Sequence, residues 1–331
     1  MLAGKLLKSM LKTRFGVLIA KIQGNLRVME GKVKVKINRL GADALTLGPI
    51  AFIGENIRAL VNLLNFRGVP TAEANKKSYN SPVLAEGYAQ WDILRDPEKT
   101  ILDFLKTKPS FRRMLDIGVG GGRTTKYFTE ICKEYIGIDY SENMIKACRK
   151  KFQKLDKTSF AVIDARNMSV YKDNCFDFVL FSHGGLDAVE DEDRMRILHE
   201  IWRVTRNGGY FFFSSYNLDA MFQFCRVKLS KNPKVFAKML VSLLLVRLSN
   251  QKMWKHVRGK QSSLEHTMFN IGGHEWGFKT YFIKSKAQYT QLRESSFENI
   301  RIFDLQGKEI KYFQNTTSIE LHYLCNIVKP N

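Results

Sequence analysis

The residues best placed to do chemistry lie in the stretch Met114-Leu-Asp-Ile-Gly-Val-Gly-Gly-Gly-Arg-Thr-Thr125. Asp116 is the one carboxylate in a short apolar run. Gly118, Gly120, Gly121 and Gly122 follow it, so the backbone can turn tightly and approach a ligand with no side chain in between. A helix opening at Arg123 would aim its free N–H groups over that loop. Asp139, 21 positions beyond Gly118, closes the next apolar run. Strand, glycine loop, helix and then an acidic residue at the end of a second strand is the pattern of a nucleotide-like ligand site. The bland alternative is a glycine turn that only packs a helix on a strand.

The glycine spacing and Asp116 narrow the ligand. A dinucleotide site wants G-x-G-x-x-G and places a pyrophosphate on the helix end. Here the run is Gly118-Val-Gly-Gly-Gly122, and Asp116 sits two residues ahead of it. A carboxylate there would repel a pyrophosphate but suits a cationic amino-acid ligand. The arrangement resembles the hydrophobic-Asp-x-Gly-x-Gly-x-Gly loop of class I S-adenosylmethionine-dependent methyltransferases. That resemblance covers residues 76–216 well and the last fifty more loosely. It implies S-adenosylmethionine as cofactor, with Asp116, Gly118 and Gly120 at the loop and Asp139 accepting hydrogen bonds from both ribose hydroxyls. A carboxylate suits that role because it offers two oxygens in one plane. The resemblance also puts Asp164 and Ala165 at the adenine. Tyr140, Met144, Ser182 and the upstream aromatic Tyr88 complete the cofactor candidates. As alternatives, Asp139 would cap a helix, Asp164 would serve a turn and Tyr88 would be a packed core residue.

Two histidines are candidates for acid–base work. His183, in Ser182-His183-Gly184-Gly185, leaves a strand at the edge where open α/β sheets place their ligands. Methyl transfer is an in-line displacement at a sulfonium carbon, for which the protein supplies alignment and a dry pocket. A hydroxyl acceptor also gains from losing its proton, and an imidazole can take it near neutral pH. His183 could instead orient the methionine moiety or only pack. His274, beside Glu275 in Gly272-Gly-His-Glu-Trp276, is the weaker candidate; a surface-loop histidine is the alternative. No Asp/Asn-Pro-Pro-Tyr/Phe motif follows the fourth strand, which disfavours methylation at a planar base or glutamine nitrogen.

The elements that must position these residues alternate along the chain. Strands are expected at Met114–Ile117, Tyr135–Asp139, Phe160–Asp164, Phe176–Phe181 and Tyr210–Ser214. The helices between them are Thr124–Lys133, one capped by Ser141, and Glu192–Val204. Such alternation means a parallel, doubly wound sheet. Pro97–Leu105 opens a helix leading into the first strand. Residues 67–82, rich in Gly, Pro, Asn and Ser, read as a linker. Past an interruption at 215–280, Thr280–Ile283 reads as a strand and Lys286–Glu294 as a helix. Asn299–Phe303 and Ile319–Val328 then complete the sheet, and the resemblance makes the last strand antiparallel. The expected fold is therefore α/β, a mostly parallel seven-stranded Rossmann-like methyltransferase sheet. It carries a helical N-terminal extension and a helical insertion after strand five. The domain limits expected are 1–75 for the extension, 76–216 for the cofactor-binding core, 217–280 for a basic apolar insertion or lid, and 281–331 for completion of the sheet.

Charge sets the partners to be considered. The 331 residues hold 53 Lys and Arg against 32 Asp and Glu, net +21. Residues 1–40 carry +9 of this and residues 221–260 carry +10, so the glycine-loop core is close to neutral. Leu2, Leu6, Met10, Leu11, Phe15, Leu18 and Ile22 recur at helical spacing among lysines, a basic amphipathic helix. Val33, Val35 and Ile37 alternate as a short strand would, and Ile53–Phe66 is patterned as a helix. The segment Val235–Leu248 is apolar with basic flanks. An excess of this size implies an anionic partner, either nucleic acid or a membrane surface. The five cysteines, Cys132, Cys148, Cys175, Cys225 and Cys325, include no C-x-x-C pair, which points to a reducing compartment and away from a zinc site. No apolar run reaches the ~18 residues of a membrane span. The expectation is a cytoplasmic enzyme, peripherally membrane-associated, methylating a small molecule, lipid or glycan at oxygen. The runner-up is an RNA methyltransferase using the basic segments, disfavoured because those segments lack an aromatic stacking pattern. A non-catalytic binding protein on the same scaffold is the third reading.

Overall fold

The computed structural model describes residues 71–225, 264–270, 278–311 and 317–329, with isolated positions at 232, 243, 246, 247, 249 and 250. The expected N-terminal elements, most of the apolar segment 235–248 and the His274–Glu275 pair lie outside the described residues.

The chain enters the fold through α1 (Thr71–Tyr79), α2 (Pro82–Ala89) and α3 (Asp96–Lys106). Glu98 in the first turn of α3 returns its carboxylate to the Arg95 backbone N–H at 2.8 Å, closing that helix start. Then come β1 (Phe111–Ile117), α4 (Thr125–Phe128), β2 (Cys132–Asp139), α5 (Glu142–Lys151), β3 (Thr158–Val162), β4 (Phe176–Phe181), α6 (Asp191–Val204) and β5 (Thr205–Asn217). The remaining elements are β6 (His266–Phe269), β7 (Thr280–Ile283), α7 (Ser285–Glu294), β8 (Phe297–Phe303), β9 (Glu309–Ile310) and β10 (Glu320–Ile327). Ser141 caps α5 as its type suggests, its hydroxyl accepting from the Met144 N–H at 3.3 Å. Asp191, Glu192 and Asp193 open α6 and Arg203 closes it, matching the helix dipole.

The strands run in the order β3-β2-β1-β4-β5-β10-β8-β9. Pairing is parallel from β3 to β5, and β10 is antiparallel to both β5 and β8. Both faces are covered. Leu115, Ile117, Phe211, Phe213 and Tyr323 pack on one side. Met114, Phe178, Leu180, Phe212 and Leu324 pack on the other. All six residues of β4 are buried, as a central strand between two helical layers requires. The order reverses between β1 and β4, the switch point at which such sheets open a ligand crevice. Among the described residues no helix is long and apolar enough to cross a membrane.

Four features depart from the sequence expectation. The sheet has ten strands, not seven. β5 runs on to Asn217, and its end pairs with β7, which carries β6 as a hairpin partner inside the stretch expected to be a helical insertion. The two-residue β9 pairs only along the outer edge of β8. The expected linker is helical over α1, because tertiary contacts outweigh its polar composition. Asn75 is buried and its amide donates to the carbonyls of Ala188 at 2.7 Å and Lys279 at 2.9 Å, while Thr71 bonds Glu190 at 2.6 Å. The first crossover helix is short: α4 ends at Phe128 and a tight turn leads straight into β2 at Cys132. β3 ends at Val162, so Asp164 stands two residues past the strand.

Candidate active site

The crevice at the switch point is floored by the glycine loop. Gly118 and Gly120 adopt φ of +61° and +55°, a conformation that side chains disfavour. Gly121 is needed for a different reason. A Cβ there would fall inside the backbone of Tyr88 and Ala89, so the end of α2 lies directly on the loop. Above the loop is a cleft of about 620 Å³, its open mouth included.

Most of the expected site residues meet in this cleft. Gly118, Gly120, Asp139, Tyr140 and Met144 line it. So do Ala165, Tyr88, Ser182 and His183. Tyr79, Ile163 and Ala188 also line it and were not foreseen. Tyr79 sits in the stretch read as linker, so no sequence signal marked it.

Asp139 lines the cleft with its carboxylate fixed by the backbone. Its two oxygens accept one backbone N–H each, from Gly120 at 3.0 Å and from Ser141 at 2.8 Å. Each oxygen keeps a further lone pair, so the carboxylate can still accept from a pair of neighbouring hydroxyls. Burial pushes its carboxyl up to about 6, against the pull of those two N–H groups.

Two expected contacts do not reach the cleft. Asp116 is fully buried under the loop, where its carboxylate takes the Thr124 hydroxyl at 2.6 Å and the Tyr135 phenol at 2.5 Å. Those inward donors turn it away from the ligand space and tie β1 to the start of α4. Burial raises its carboxyl to about 7, opposed by the two hydroxyl bonds. Asp164 is clamped by Arg166, whose Nε and guanidinium nitrogens lie 3.0 and 2.7 Å from it, and Arg166 reaches on to Asp193 at 2.9 Å. Burial alone would raise the Asp164 carboxyl, but the Arg166 bonds hold it below its usual range. The neighbouring Ile163 and Ala165, rather than Asp164, form that wall.

The β4 end of the cleft is polar and tightly built. Ser182 donates to Glu98, a buried carboxylate that also pairs with Arg123. His183 follows at φ +59°, unusual for a residue with a side chain. Its ring stands edge-on to Trp91 at 5.4 Å, and Gly184 donates its N–H to the Ser214 hydroxyl at 2.7 Å. Burial, and then the Arg95 charge, push the imidazole down to about 4, so it is neutral at physiological pH with a lone pair to offer. Asp187 and Arg194, both fully buried, pair at 2.6 Å behind this turn, and Asp187 also accepts the Tyr216 N–H at 2.7 Å. Arg123 stands in the glycine-loop stretch, but no motif marked its pairing with Glu98, nor the Asp187–Arg194 pair.

Residues 115–213 match the family model described as a methyltransferase domain. This span is a class I S-adenosylmethionine-dependent methyltransferase domain. The relatives found are similar over this domain. A demethylmenaquinone methyltransferase of Shouchella clausii is 33% identical over 99 residues, 29% of this chain and 41% of that protein. One of Listeria monocytogenes is 35% identical over 74 residues, 22% of this chain and 30% of that protein. The chain thus spans less than half the length of these relatives. Among solved structures, a methyltransferase from Clostridium acetobutylicum aligns at 14% identity and a TM-score of 0.48, covering 72% of this chain and 94% of that one. The cofactor of such a domain fits the cleft of this one. Asp139 has acceptor capacity left for a ribose, the glycine loop leaves room for close approach, and Tyr140, Met144 and Ala165 supply apolar walls.

Proposed function

We propose that the chain transfers a methyl group from S-adenosylmethionine to a small-molecule acceptor, with a hydroxyl oxygen as the receiving atom. The cofactor supplies an electrophilic methyl group on a sulfonium and a neutral thioether leaving group. The protein's part is binding, alignment and exclusion of water. Asp139 would hold the ribose, the loop Gly118–Gly120 would carry the amino-acid end, and Tyr140, Met144 and Ala165 would flank the adenine. Tyr88 would close the cleft from above. His183, at the opposite end, would take the acceptor's proton. The observation that carries this reading is one continuous cleft running from Asp139 to His183. The names of the relatives, demethylmenaquinone methyltransferases, support a small-molecule acceptor.

The experiment is incubation of the full chain with methyl-labelled S-adenosylmethionine and fractionated extract. Label is expected in the organic-soluble small-molecule fraction. Label confined to RNA would replace this acceptor class with nucleic acid, and label in no fraction, despite cofactor binding, would favour a non-catalytic binding protein.

A further inference from the structure

Behind His183 the structure leaves three side chains with unsatisfied atoms. His183 at Nδ1, Glu320 at Oε1 and His322 at both ring nitrogens are buried without hydrogen-bond partners among the described residues. Buried polar groups are paired in nearly all folded proteins, so a cluster of exceptions calls for a partner. These groups share one corner of the fold. β5 lies between β4, which leads to His183, and β10, which starts with Glu320. Ser214 of β5 bridges the two: it accepts the Gly184 N–H at 2.7 Å, and its hydroxyl lies against the Glu320 carboxylate. The other Glu320 oxygen, Oε2, is held by Arg95 in an ion pair that fixes the carboxylate's position. Oε1 is left as a buried acceptor without a partner, and the imidazoles whose charge bears on Glu320 are His322 first and then His183.

We infer that Glu320 is a positioning residue for His183, its Oε1 accepting a hydrogen bond from the His183 Nδ1–H and so leaving Nε2 as the base toward the acceptor. The inference rests on the reading of this cleft as a methyl-transfer site. Two elements of the corner favour it. The bond would satisfy two orphaned atoms at once, and it would fix the tautomer that a base requires, since only one nitrogen of a neutral imidazole carries the proton. The charged groups that bear on His183 are Arg95, Glu320, Arg123 and Glu98. Of their carboxylate oxygens, Oε1 of Glu320 is the one without a partner, because Glu98 is committed to Arg123, Ser182 and the Arg95 N–H. In the transfer, the acceptor hydroxyl gives its proton to His183 Nε2 as its oxygen forms the new C–O bond. The cofactor would supply the methyl group, its sulfur keeping the electron pair of the C–S bond that is given up. The imidazolium so formed keeps its Nδ1 proton toward Glu320, which offsets the new charge, and Nε2 returns its proton to water after the product leaves.

His322 competes for the same oxygen. It lies two residues along β10, stacked on Phe212 at 5.9 Å. The deciding measurement needs no acceptor: proton and ¹⁵N spectra of the full chain labelled at histidine nitrogens, with and without S-adenosylhomocysteine. A low-field imidazole N–H resonance is expected, absent in His183→Gln, absent in Glu320→Gln, shifted but present in Glu320→Asp, and retained in His322→Gln. Cofactor affinity should be the same in Glu320→Gln and the unaltered chain. A resonance that survives His183→Gln and disappears in His322→Gln would overturn the proposal, as would no low-field resonance in the cofactor-loaded chain. Failure to bind S-adenosylhomocysteine with the His183 resonance intact would remove the methyltransferase reading and leave the His183–Glu320 pair standing.

Discussion

At the scale of single residues, the site divides into groups already satisfied by the protein and groups with capacity left over. Asp116 and Asp164 belong to the first kind, Asp139 and His183 to the second. His183→Ala is expected to lower turnover by roughly 10²–10⁴-fold while cofactor affinity stays nearly unchanged. A mutant that keeps its turnover, with chemistry shown to be rate-limiting, would remove His183 from the mechanism. Asp139 gives a pH signature. Its carboxyl is raised by burial to about 6, so it takes up a proton as pH falls through that value. Protonation costs it acceptor capacity, and cofactor affinity should therefore be flat above about pH 6 and fall below it. Calorimetric titrations with S-adenosylhomocysteine across pH 5–8 check this; an Asp139→Asn variant should bind more weakly throughout and lose the pH-dependent step. The position of these two residues in the cleft was legible in the sequence, because Asp139 ends β2 and His183 stands two residues past β4 at the same edge of the sheet, where topology places ligands. The satisfied state of Asp116 and Asp164 was not legible, since Tyr135 and Asp193 reach them only through tertiary packing.

At the scale of elements, the strands that read most clearly were those buried on both faces. Phe176–Phe181 and Thr280–Ile283 came out with the limits their apolar runs suggested. Thr71–Tyr79 misled because its composition is that of a loop and its helix is fixed by distant carbonyls, not by its own pattern. α1 and α2 cover the cleft: the Ser141 hydroxyl donates to the Tyr79 carbonyl at 3.1 Å, Asn143 donates to the Asn80 carbonyl at 2.7 Å, and Lys151 reaches the Ala89 carbonyl at 2.7 Å. Asn75 holds α1 from the other side. Asn75→Ala strips buried partners of their bonds and should cost about 1–3 kcal/mol of stability. Because Tyr79 lines the cleft, the same variant should bind S-adenosylhomocysteine more weakly. Denaturant unfolding beside a binding titration tests both, and unchanged values for each would show that α1 does not depend on Asn75.

At the scale of the whole molecule, the near-neutral core is joined to two strongly basic segments, residues 1–40 and 221–260. An acceptor with an apolar body is met most readily at a membrane surface, where roughly 1 kcal/mol per Lys or Arg is available within a Debye length. We expect the full chain to co-sediment with anionic vesicles and less with neutral ones, with a salt-resistant part from apolar insertion. Deleting residues 1–23 should reduce this binding and leave cofactor affinity intact. Tight RNA binding that falls steeply with salt, with no response to vesicles, would move the partner to nucleic acid. Whether the cleft holds the cofactor is tested by calorimetric titration of the full chain and of Asp139→Ala with S-adenosylhomocysteine. Saturable binding at one site is expected, weakened in the variant by about 1.5–3 kcal/mol, the scale of charge-assisted hydrogen bonds. No binding to the unaltered chain, or equal affinity in the variant, would contradict it.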